Sequence, residues 1–296
     1  MIVSRKLFYT LCVLSAILMI IFIYKRAVSG EKTAEGFTQS TPFVLKRDQN
    51  IYDEFYSKLY DELFHDDEKT RYVIRGIIDI TNPSPEHSVF LEVGSGTGQN
   101  IRALHEQNYS AFGVEKSPAM MKIADNTCGC VKGYSDDADQ EIIKHGDALD
   151  PLLYEHSTFT HILLLDETIN EFKDKTAIIR ILRTWLKRNG FLVIHVVSRE
   201  KYTSVAGAPA PEKELHGVRY SSVYKTAAAQ NEIVFQEKII DKKSDYTRQN
   251  EKTLYVEPIA NLVQSIKHEG FIVHGIVDMK PITKDNYQYL YIFEKI

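Results

Sequence analysis

The residues with the clearest chemical signature lie in the segment VFLEVGSGTGQN, residues 89–100, where a short apolar run ends in the acid Glu92. Glycines follow at every second position: Gly94, Gly96 and Gly98. Glycine adopts positive φ angles at little cost and lets a ligand approach the backbone closely. Ligands of open parallel sheets bind beyond the carboxyl ends of the strands, so this turn is predicted to hold one.

Two familiar nucleotide-binding turns fit the segment poorly. A nicotinamide or flavin fingerprint requires its third glycine at position 99, which is Gln99 here. A phosphate-binding P-loop requires Gly-Lys-Ser or Gly-Lys-Thr, which the segment lacks. The spacing therefore disfavours a nicotinamide-dependent oxidoreductase and a P-loop enzyme.

More acidic residues follow at the ends of later strands. Glu115 ends the second strand roughly twenty residues beyond the first glycine, where an acid can accept both hydroxyls of a ribose. Asp147 lies in HGDAL, and Asp166 and Glu167 end the fourth strand in LLLDET. Taken alone, Asp147 is equally typical of a turn or a helix cap.

The elements that must position these residues alternate between strands and helices. Apolar strands are predicted at SVFLEV, SAFGVE, FTHILLLDE and FLVIHVVS, with helical segments between them. Because these strands are apolar throughout, they predict a parallel sheet that is covered on both faces. After residue 199 the pattern predicts an antiparallel pair, GVRYSSVYKTA and NEIVFQEKIID, then a helix and two closing strands.

The segment LEVGSGTGQN resembles the first motif of class I S-adenosylmethionine-dependent methyltransferases, and WLKRNGFLVIHVV resembles a later one. The resemblance covers residues 50–296. It implies an α/β, Rossmann-like sheet of seven mostly parallel strands with an antiparallel last strand and helices on both faces. It also implies S-adenosylmethionine as the cofactor. The sequence lacks the Asp-Pro-Pro-Tyr type of motif, so planar amino groups of bases and of glutamine are discounted as acceptors.

The same resemblance assigns the cofactor-binding residues, which are Glu92, Gly94, Ser95, Gly96, Gly98, Glu115, Asp147, Ala148 and Asp166. In that pattern Glu92 supports the turn, while Gly94, Ser95 and Gly96 approach the amino acid part and the ribose. Glu115 meets the ribose hydroxyls. Asp147 meets the adenine amino group, with Ala148 offering its backbone, and Asp166 borders the transferred methyl group.

No catalytic residue is predicted, because methyl transfer mainly requires alignment of the reacting groups. A general base is needed only when the nucleophile carries a proton at the working pH. Glu167, Tyr56 and Tyr60 are candidates near the site. His195 lies inside an apolar strand and is expected to be a satisfied buried histidine rather than a base.

The amino terminus contains an uncharged apolar run from Leu7 to Tyr24, flanked by basic residues on both sides. At ~1.5 Å per residue a helix over this run is about 27 Å long, close to the apolar thickness of a bilayer. A signal peptide has a shorter apolar region, so an uncleaved anchor over residues 7–24 is expected after a tail of residues 1–6. This predicts a single-pass membrane protein, its catalytic domain in the cytosol.

The predicted organisation continues with a flexible tether over residues 25–48 and a methyltransferase domain over residues 49–296. Within that domain, residues 202–245 are expected to cover the substrate. FTHILLLDETINEFKDK and YQYLYIFEKI are similar to segments of membrane-anchored methyltransferase-like proteins of giant DNA viruses. That narrower resemblance names no substrate.

Composition narrows the function further. The chain has 296 residues and a formal net charge of −4, so no broad basic surface for nucleic acid is expected. Cys128 and Cys130 form one isolated pair, and no metal site is predicted. The sequence thus predicts a membrane-tethered methyltransferase with an unidentified acceptor, which is a small molecule, a lipid or a protein. The alternative is a catalytically inactive cofactor-binding or scaffold protein on the same fold.

Overall fold

The computed structural model describes Met19 and residues 43–128, 141–229, 231–244 and 246–296. Its strands are β1 (Phe43–Arg47), β2 (Val89–Val93), β3 (Ser110–Glu115), β4 (Ile143–His145), β5 (Phe159–Leu164), β6 (Leu186–Val197), β7 (Lys213–Leu215), β8 (Val218–Thr226), β9 (Glu232–Asp241), β10 (Thr247–Tyr255), β11 (Phe271–Asp278) and β12 (Gln288–Lys295). Its α-helices over residues 43–296 are α1 (Glu54–Phe64), α2 (Asp67–Thr81), α3 (Gln99–His105), α4 (Pro118–Cys128), α5 (Lys175–Trp185), α6 (Arg199–Ser204), α7 (Ile259–His268) and α8 (Lys280–Thr283). Short 3-10 helices span Asp48–Ile51 and Thr168–Glu171.

The larger sheet has seven strands in the order β11-β12-β6-β5-β2-β3-β4. Strands β4, β3, β2, β5 and β6 run parallel to one another. The last strand, β12, pairs antiparallel with both β6 and β11. The predicted Rossmann-like sheet with an antiparallel last strand is therefore confirmed.

Helices cover both faces of this sheet, as the continuous apolar strands predict. Phe90 and Leu91 are neighbours in β2, yet they belong to different buried clusters because side chains alternate across a strand. The Leu91 cluster includes residues of α5 and α7, around Trp185. The Phe90 cluster includes residues of α2 and α3. Burial on both faces fixes the strand ends, and with them the turns that follow.

A second sheet has five strands in the order β1-β10-β9-β8-β7. The predicted antiparallel pair is confirmed as β8 and β9, with Val218 opposite Asp241. Strand β10 extends the sheet beyond residue 245, where the covering segment was expected to end. Residues 43–47, assigned to the flexible tether, form β1 instead, because their backbone pairs in parallel with residues 247–251 of β10.

The expected localisation is corrected by the helices of the structure. None of the helices in the described residues is long and apolar enough to cross a membrane. This finding overturns the prediction of a single-pass membrane protein with a cytosolic catalytic domain. The apolar run at 7–24, on which that prediction rested, lies outside the described residues except for Met19.

Candidate functional site

The glycine turn follows β2 directly and bends around the end of β3. Gly94, Gly96 and Gly98 have φ angles of 70°, 55° and 76°. The backbone amides of Gly94 and Ser95 donate to the carbonyl of Val114 over 2.9 and 3.2 Å, which ties the turn to β3. A side chain at position 94 would place its Cβ in tight contact with Thr168 Cγ2, 3.0 Å away, so glycine relieves crowding there and also allows the positive φ.

Glu115 holds this turn from the end of β3. Its Oε2 accepts a hydrogen bond of 2.9 Å from the amide of Gly96, and its Oε1 accepts one of 2.7 Å from the amide of Ser117. Burial raises the pKa of Glu115 above its usual value. A carboxylate has about four acceptor positions, so capacity for ribose hydroxyls remains. Glu115 is therefore also a structural residue, and its removal is expected to loosen the turn.

A cavity of about 370 Å³ opens at the carboxyl ends of β2 and β3. Five of the predicted cofactor-binding residues line it: Gly94, Gly96, Glu115, Asp147 and Ala148. Asp147 forms an ion pair of 2.7 Å with Lys116 and accepts a hydrogen bond from the amide of Leu149 over 3.0 Å. Burial acts to raise the pKa of Asp147, but the hydrogen bonds from Lys116 and the Leu149 amide, together with the charge of Lys116, outweigh it and lower the pKa. Asp147 thus stabilises its own turn and faces the cavity.

A second cavity, of about 190 Å³, adjoins the first. The predicted residues Glu92, Ser95 and Asp166 line it. The two cavities share the lining residues Gly96, Tyr60 and Lys252. Gly98 lines neither cavity and instead supplies the left-handed residue before α3. The structure therefore divides eight of the nine predicted residues between two adjoining spaces.

Glu92 is the most deeply buried acid of the second cavity, with 3% of its surface exposed. Its Oε1 accepts a hydrogen bond of 2.7 Å from Asn100, whereas its Oε2 has no hydrogen-bond partner among the described residues. Burial raises the pKa of Glu92 to about 8. A cation bound beside Oε2 would lower that pKa and complete the hydrogen bonding.

Other polar atoms of the second cavity are also buried without a partner in the described residues. They are Ser95 Oγ and Gln99 Oε1. Buried polar atoms in native proteins are almost always hydrogen-bonded, so each exception needs an explanation. Their concentration around one cavity indicates a ligand site. Together with Glu92 Oε2, these oxygens are suited to accept hydrogen bonds from a polar, positively charged ligand.

The carboxyl end of β5 carries two acids with unusual backbone angles. Asp166 and Glu167 have φ angles of 46° and 67°. Asp166 forms an ion pair of 2.6 Å with Lys69 of α2, and Glu167 accepts a hydrogen bond from the hydroxyl of Tyr202. Consecutive non-glycine residues in the left-handed region cost energy and persist where surrounding contacts fix them, which is common at functional sites.

His195 of β6 is buried, as predicted, but it is not satisfied. Its Nε2 has no hydrogen-bond partner among the described residues, and burial lowers its pKa to about 4. It lines a space of only about 10 Å³ together with Lys69 and Asp166. The imidazole is therefore neutral near pH 7 and lies behind the acids of the site.

Sequence reasoning missed a cluster in which distant residues meet. Lys252 of β10 lies 3.1 Å from both the hydroxyl of Tyr52 and Oε1 of Glu171. The Tyr52 hydroxyl donates to the same Glu171 oxygen over 3.0 Å. Lys252 is 200 residues from Tyr52 and 81 from Glu171, so no local pattern marks the cluster.

Asp61 of α1 was also missed. Its Oδ1 accepts a hydrogen bond of 2.5 Å from Thr97, and its Oδ2 accepts one of 2.7 Å from Gln99. These bonds attach α1 to the glycine turn. The predicted candidates Tyr56 and Tyr60 belong to the same helix and line the second cavity.

The prediction of no metal site stays a prediction. Within the described residues, no three His, Cys, Asp or Glu side chains are placed to hold a metal ion. Cys130 and the side chain of Cys128 lie outside the described residues.

Comparisons with known proteins agree with this geometry. The profile of a protein family described as a methyltransferase domain matches residues 54–227. No curated protein matches the sequence.

Solved structures with a similar fold include an S-adenosylmethionine-dependent methyltransferase from Clostridium acetobutylicum, 15% identical, with a TM-score of 0.64 over 83% of this chain and 99% of that one. A sugar N-methyltransferase from Streptoalloteichus is 18% identical, with a TM-score of 0.61 over 81% and 92%. An amino pentose methyltransferase from Micromonospora echinaspora, with S-adenosylmethionine bound, is 15% identical, with a TM-score of 0.60 over 84% and 99%. At these identities the similarity concerns the fold alone.

Proposed function

The chain belongs to the methyltransferase domain family, and on this premise we propose that it transfers a methyl group from S-adenosylmethionine to a small-molecule acceptor. S-adenosylmethionine is the cofactor, as the family and the cofactor-bound structural neighbour indicate. The observation that carries the proposal is the pair of adjoining cavities at the glycine turn. One is lined by residues suited to a nucleoside, and the other contains buried polar atoms that lack partners.

The first cavity suits the adenosine part of the cofactor. We assign the ribose hydroxyls to the acceptor positions of Glu115 and the adenine to the part of the cavity lined by Asp147 and Ala148. The second cavity offers Glu92 and Asp166 to the methionine part, whose amino group is positively charged. Gly94 and Gly96 let the ligand approach the backbone between these two regions.

When bound, the cofactor supplies a methyl group on a positively charged sulfur. The chain then has to align the acceptor and exclude water. Lys252 and Tyr60 line both cavities. With cofactor and acceptor bound, these two side chains would therefore contact both molecules or lie between them. Helix α1 is fixed to the turn through Asp61 and contributes Tyr60 to both cavities, so it is the element placed to exclude solvent there.

A small acceptor is favoured over a lipid or a protein by the second cavity. Its volume of about 190 Å³ is limited, and aromatic or aliphatic side chains form one part of an otherwise polar wall: Tyr56, Tyr60, Phe64, Tyr224, Phe235 and Leu254. Two of the structural neighbours are described as acting on a sugar and on an amino pentose. Those descriptions support the proposal without identifying the acceptor.

The test combines binding with turnover on the full chain. Titration calorimetry with S-adenosylhomocysteine is expected to show one site, and labelled S-adenosylmethionine is expected to transfer label to a small-molecule fraction. Absence of binding would reject the proposal. Binding without transfer to any small-molecule, lipid or protein fraction would favour the alternative of an inactive cofactor-binding scaffold.

A further inference from the structure

The second cavity leaves hydrogen-bond acceptors unused. Glu92 Oε2 and Gln99 Oε1 are buried without partners among the described residues. Glu167 has Oε2 occupied by the Tyr202 hydroxyl, while the nearest cation to its Oε1 is Lys201 at 4.0 Å, beyond hydrogen-bond distance. An amide oxygen and an ionised carboxylate can only accept, and a cation beside Glu92 would ionise it by lowering its pKa. These oxygens therefore favour a ligand that brings hydrogen-bond donors.

The charges of the cavity point the same way. Besides the buried acid Glu92, four carboxylates line it, against two lysines: Asp61, Asp66, Asp166 and Glu167, with Lys69 and Lys252. Both lysines are already paired, Lys69 with Asp166 and Lys252 with Glu171. An acceptor with a carboxylate or phosphate group is therefore disfavoured, and a positively charged one is favoured.

Glu167 is the acid left for such an acceptor. The proposed function already assigns Glu92 and Asp166 to the cofactor. Asp61 uses both of its oxygens to accept hydrogen bonds from Thr97 and Gln99. Asp66 accepts from the backbone amides of α2 as its N-terminal cap. Glu167 differs from Asp61 and Asp66 because a buried side-chain hydroxyl fixes one of its oxygens, while its other oxygen makes no hydrogen bond in the described residues.

Two buried side chains, Tyr202 and Asn170, orient the carboxylate of Glu167. The fully buried Tyr202 donates to Oε2, and the side chain of Asn170 donates to the Tyr202 hydroxyl over 3.2 Å. The backbone of Glu167 is in the left-handed conformation, which sets the direction of the side chain further. A carboxylate fixed by a second layer of contacts is suited to orient a reacting group.

We propose that the acceptor is an amine, and that Glu167 binds its nitrogen and receives a proton from it; this inference rests on the proposed function. The ammonium form loses one proton to Glu167 and becomes a nucleophile. The nitrogen lone pair then forms the bond to the methyl carbon while the carbon–sulfur bond breaks, and that electron pair remains on sulfur. The methylated ammonium product leaves, and Glu167 releases its proton to water.

The test compares matched probes on the full chain saturated with S-adenosylhomocysteine. The probes are 2-phenylethylamine, 2-phenylethanol and 3-phenylpropanoate, which suit the aromatic walls, and the pair glucosamine and glucose. Calorimetry measures each Kd for the wild type, Glu167→Gln and the control Glu86→Gln. Glu86 is exposed in the loop before β2, so it lies at the opposite end of this strand from the glycine turn.

At least one amine is expected to bind about tenfold more tightly than its alcohol, the scale of one charge-assisted hydrogen bond. Glu167→Gln keeps an acceptor for Tyr202, so it should fold and bind S-adenosylhomocysteine like the wild type. It should nevertheless lose the preference for amines, whereas Glu86→Gln keeps it.

Several results would overturn the inference. If S-adenosylhomocysteine binds but alcohols or the propanoate bind as tightly as the amines, or no probe binds, the acceptor is not an amine. A preference that survives Glu167→Gln would remove Glu167 from the assignment. Failure of the first titration, with S-adenosylhomocysteine alone, would reject the proposed function itself and is thus distinguishable.

Discussion

The two sheets build their parts of the site by different means. At the carboxyl ends of the strands in the seven-stranded sheet, the glycine turn is held by backbone amides and by acids close in sequence, such as Glu115. The five-stranded sheet contributes side chains instead, among them Tyr224, Phe235 and Lys252. The family profile ends at residue 227, before β9 and β10. Of these two halves of the site, the glycine turn and Tyr224 therefore lie inside the matched profile, whereas Phe235 and Lys252 lie outside it.

A buried polar network joins the two halves. Glu237 of β9 accepts hydrogen bonds from the hydroxyls of Tyr56 and Tyr220, each at 2.7 Å, and from Asn250 at 3.1 Å. Arg248 of β10 donates to Asp53, the cap of α1, over 2.7 Å. Because Glu237, Arg248 and Asn250 are buried, leaving any of them unpaired costs more than losing an exposed pair would. This network fixes α1 between the sheets.

The largest expected effect comes from breaking that network. Glu237→Ala leaves several buried donors without an acceptor, and it should lower the free energy of unfolding by about 3–5 kcal/mol. Urea denaturation followed by circular dichroism measures the change, with Glu86→Ala as a control for an exposed acid. A loss below about 1 kcal/mol would show that the network does not hold the halves together.

The next prediction separates backbone strain from ligand approach. Gly96 and Gly207 both have positive φ, 55° and 80°, so valine at either position should cost about 1–2 kcal/mol of stability. Gly96 lines both cavities, whereas Gly207 lines neither. We therefore expect Gly96→Val to weaken S-adenosylhomocysteine binding at least a hundredfold and Gly207→Val to leave it unchanged. Equal affinities, measured by calorimetry, would mean that the turn does not contact the cofactor.

The buried acid of the turn predicts a pH dependence. Burial raises the pKa of Glu92 to about 8 from an ordinary 4.5, so the folded protein keeps a proton that the unfolded chain has lost. Between these values the wild type loses stability as pH rises, because the unfolded state is then favoured by ionisation. Glu92→Gln removes this loss. It should be nearly neutral at pH 4.5 and stabilising by on the order of 2 kcal/mol at pH 8.5.

Thermal and urea unfolding of both proteins at the two pH values test this expectation. Glu86→Gln serves as the control, since an exposed acid should show no such divergence. Parallel stability curves for Glu92→Gln and the wild type would mean that Glu92 is ionised in the folded protein.

The smallest effect concerns the link between α1 and the turn. Asp61→Ala removes two side-chain hydrogen bonds and should lower the free energy of unfolding by about 1–2 kcal/mol. Asp79→Ala, at an exposed position of α2, controls for the change in helix propensity. Hydrogen exchange of α1 should rise in Asp61→Ala and fall again on adding S-adenosylhomocysteine. Unchanged protection would place the closure of the site elsewhere.

The larger sheet could be predicted from the sequence because its buried strands are continuous runs of apolar residues. The sequence did not predict β10, whose sequence TRQNEKTLY looks polar, because Arg248 and Asn250 point inward to the buried network. It did not predict β1 either, since the partner of Phe43 is Thr247, far along the chain. Local patterns reveal elements that bury apolar surface, but not those that bury paired polar groups.

The candidate site divides in the same way. The glycine turn and Glu115 were found because their spacing reflects local backbone geometry. Lys252 and Asp61 were missed because they reach the site only through contacts across the fold. The sequence also does not predict the positive φ of Glu167, because tertiary contacts rather than the residue type impose it.

Strand β1 also sets a lower limit on how far the chain can be shortened. It covers one side of β10, and an ion pair of 3.1 Å between Arg47 and Glu251 supports the pairing. A protein cut at the predicted boundary of residue 49 would present the open backbone of β10 to solvent. Exposed strand edges recruit other chains, so such a fragment should self-associate through the strand that carries Lys252. Shortened proteins for biochemical work should therefore keep residue 43 and everything after it.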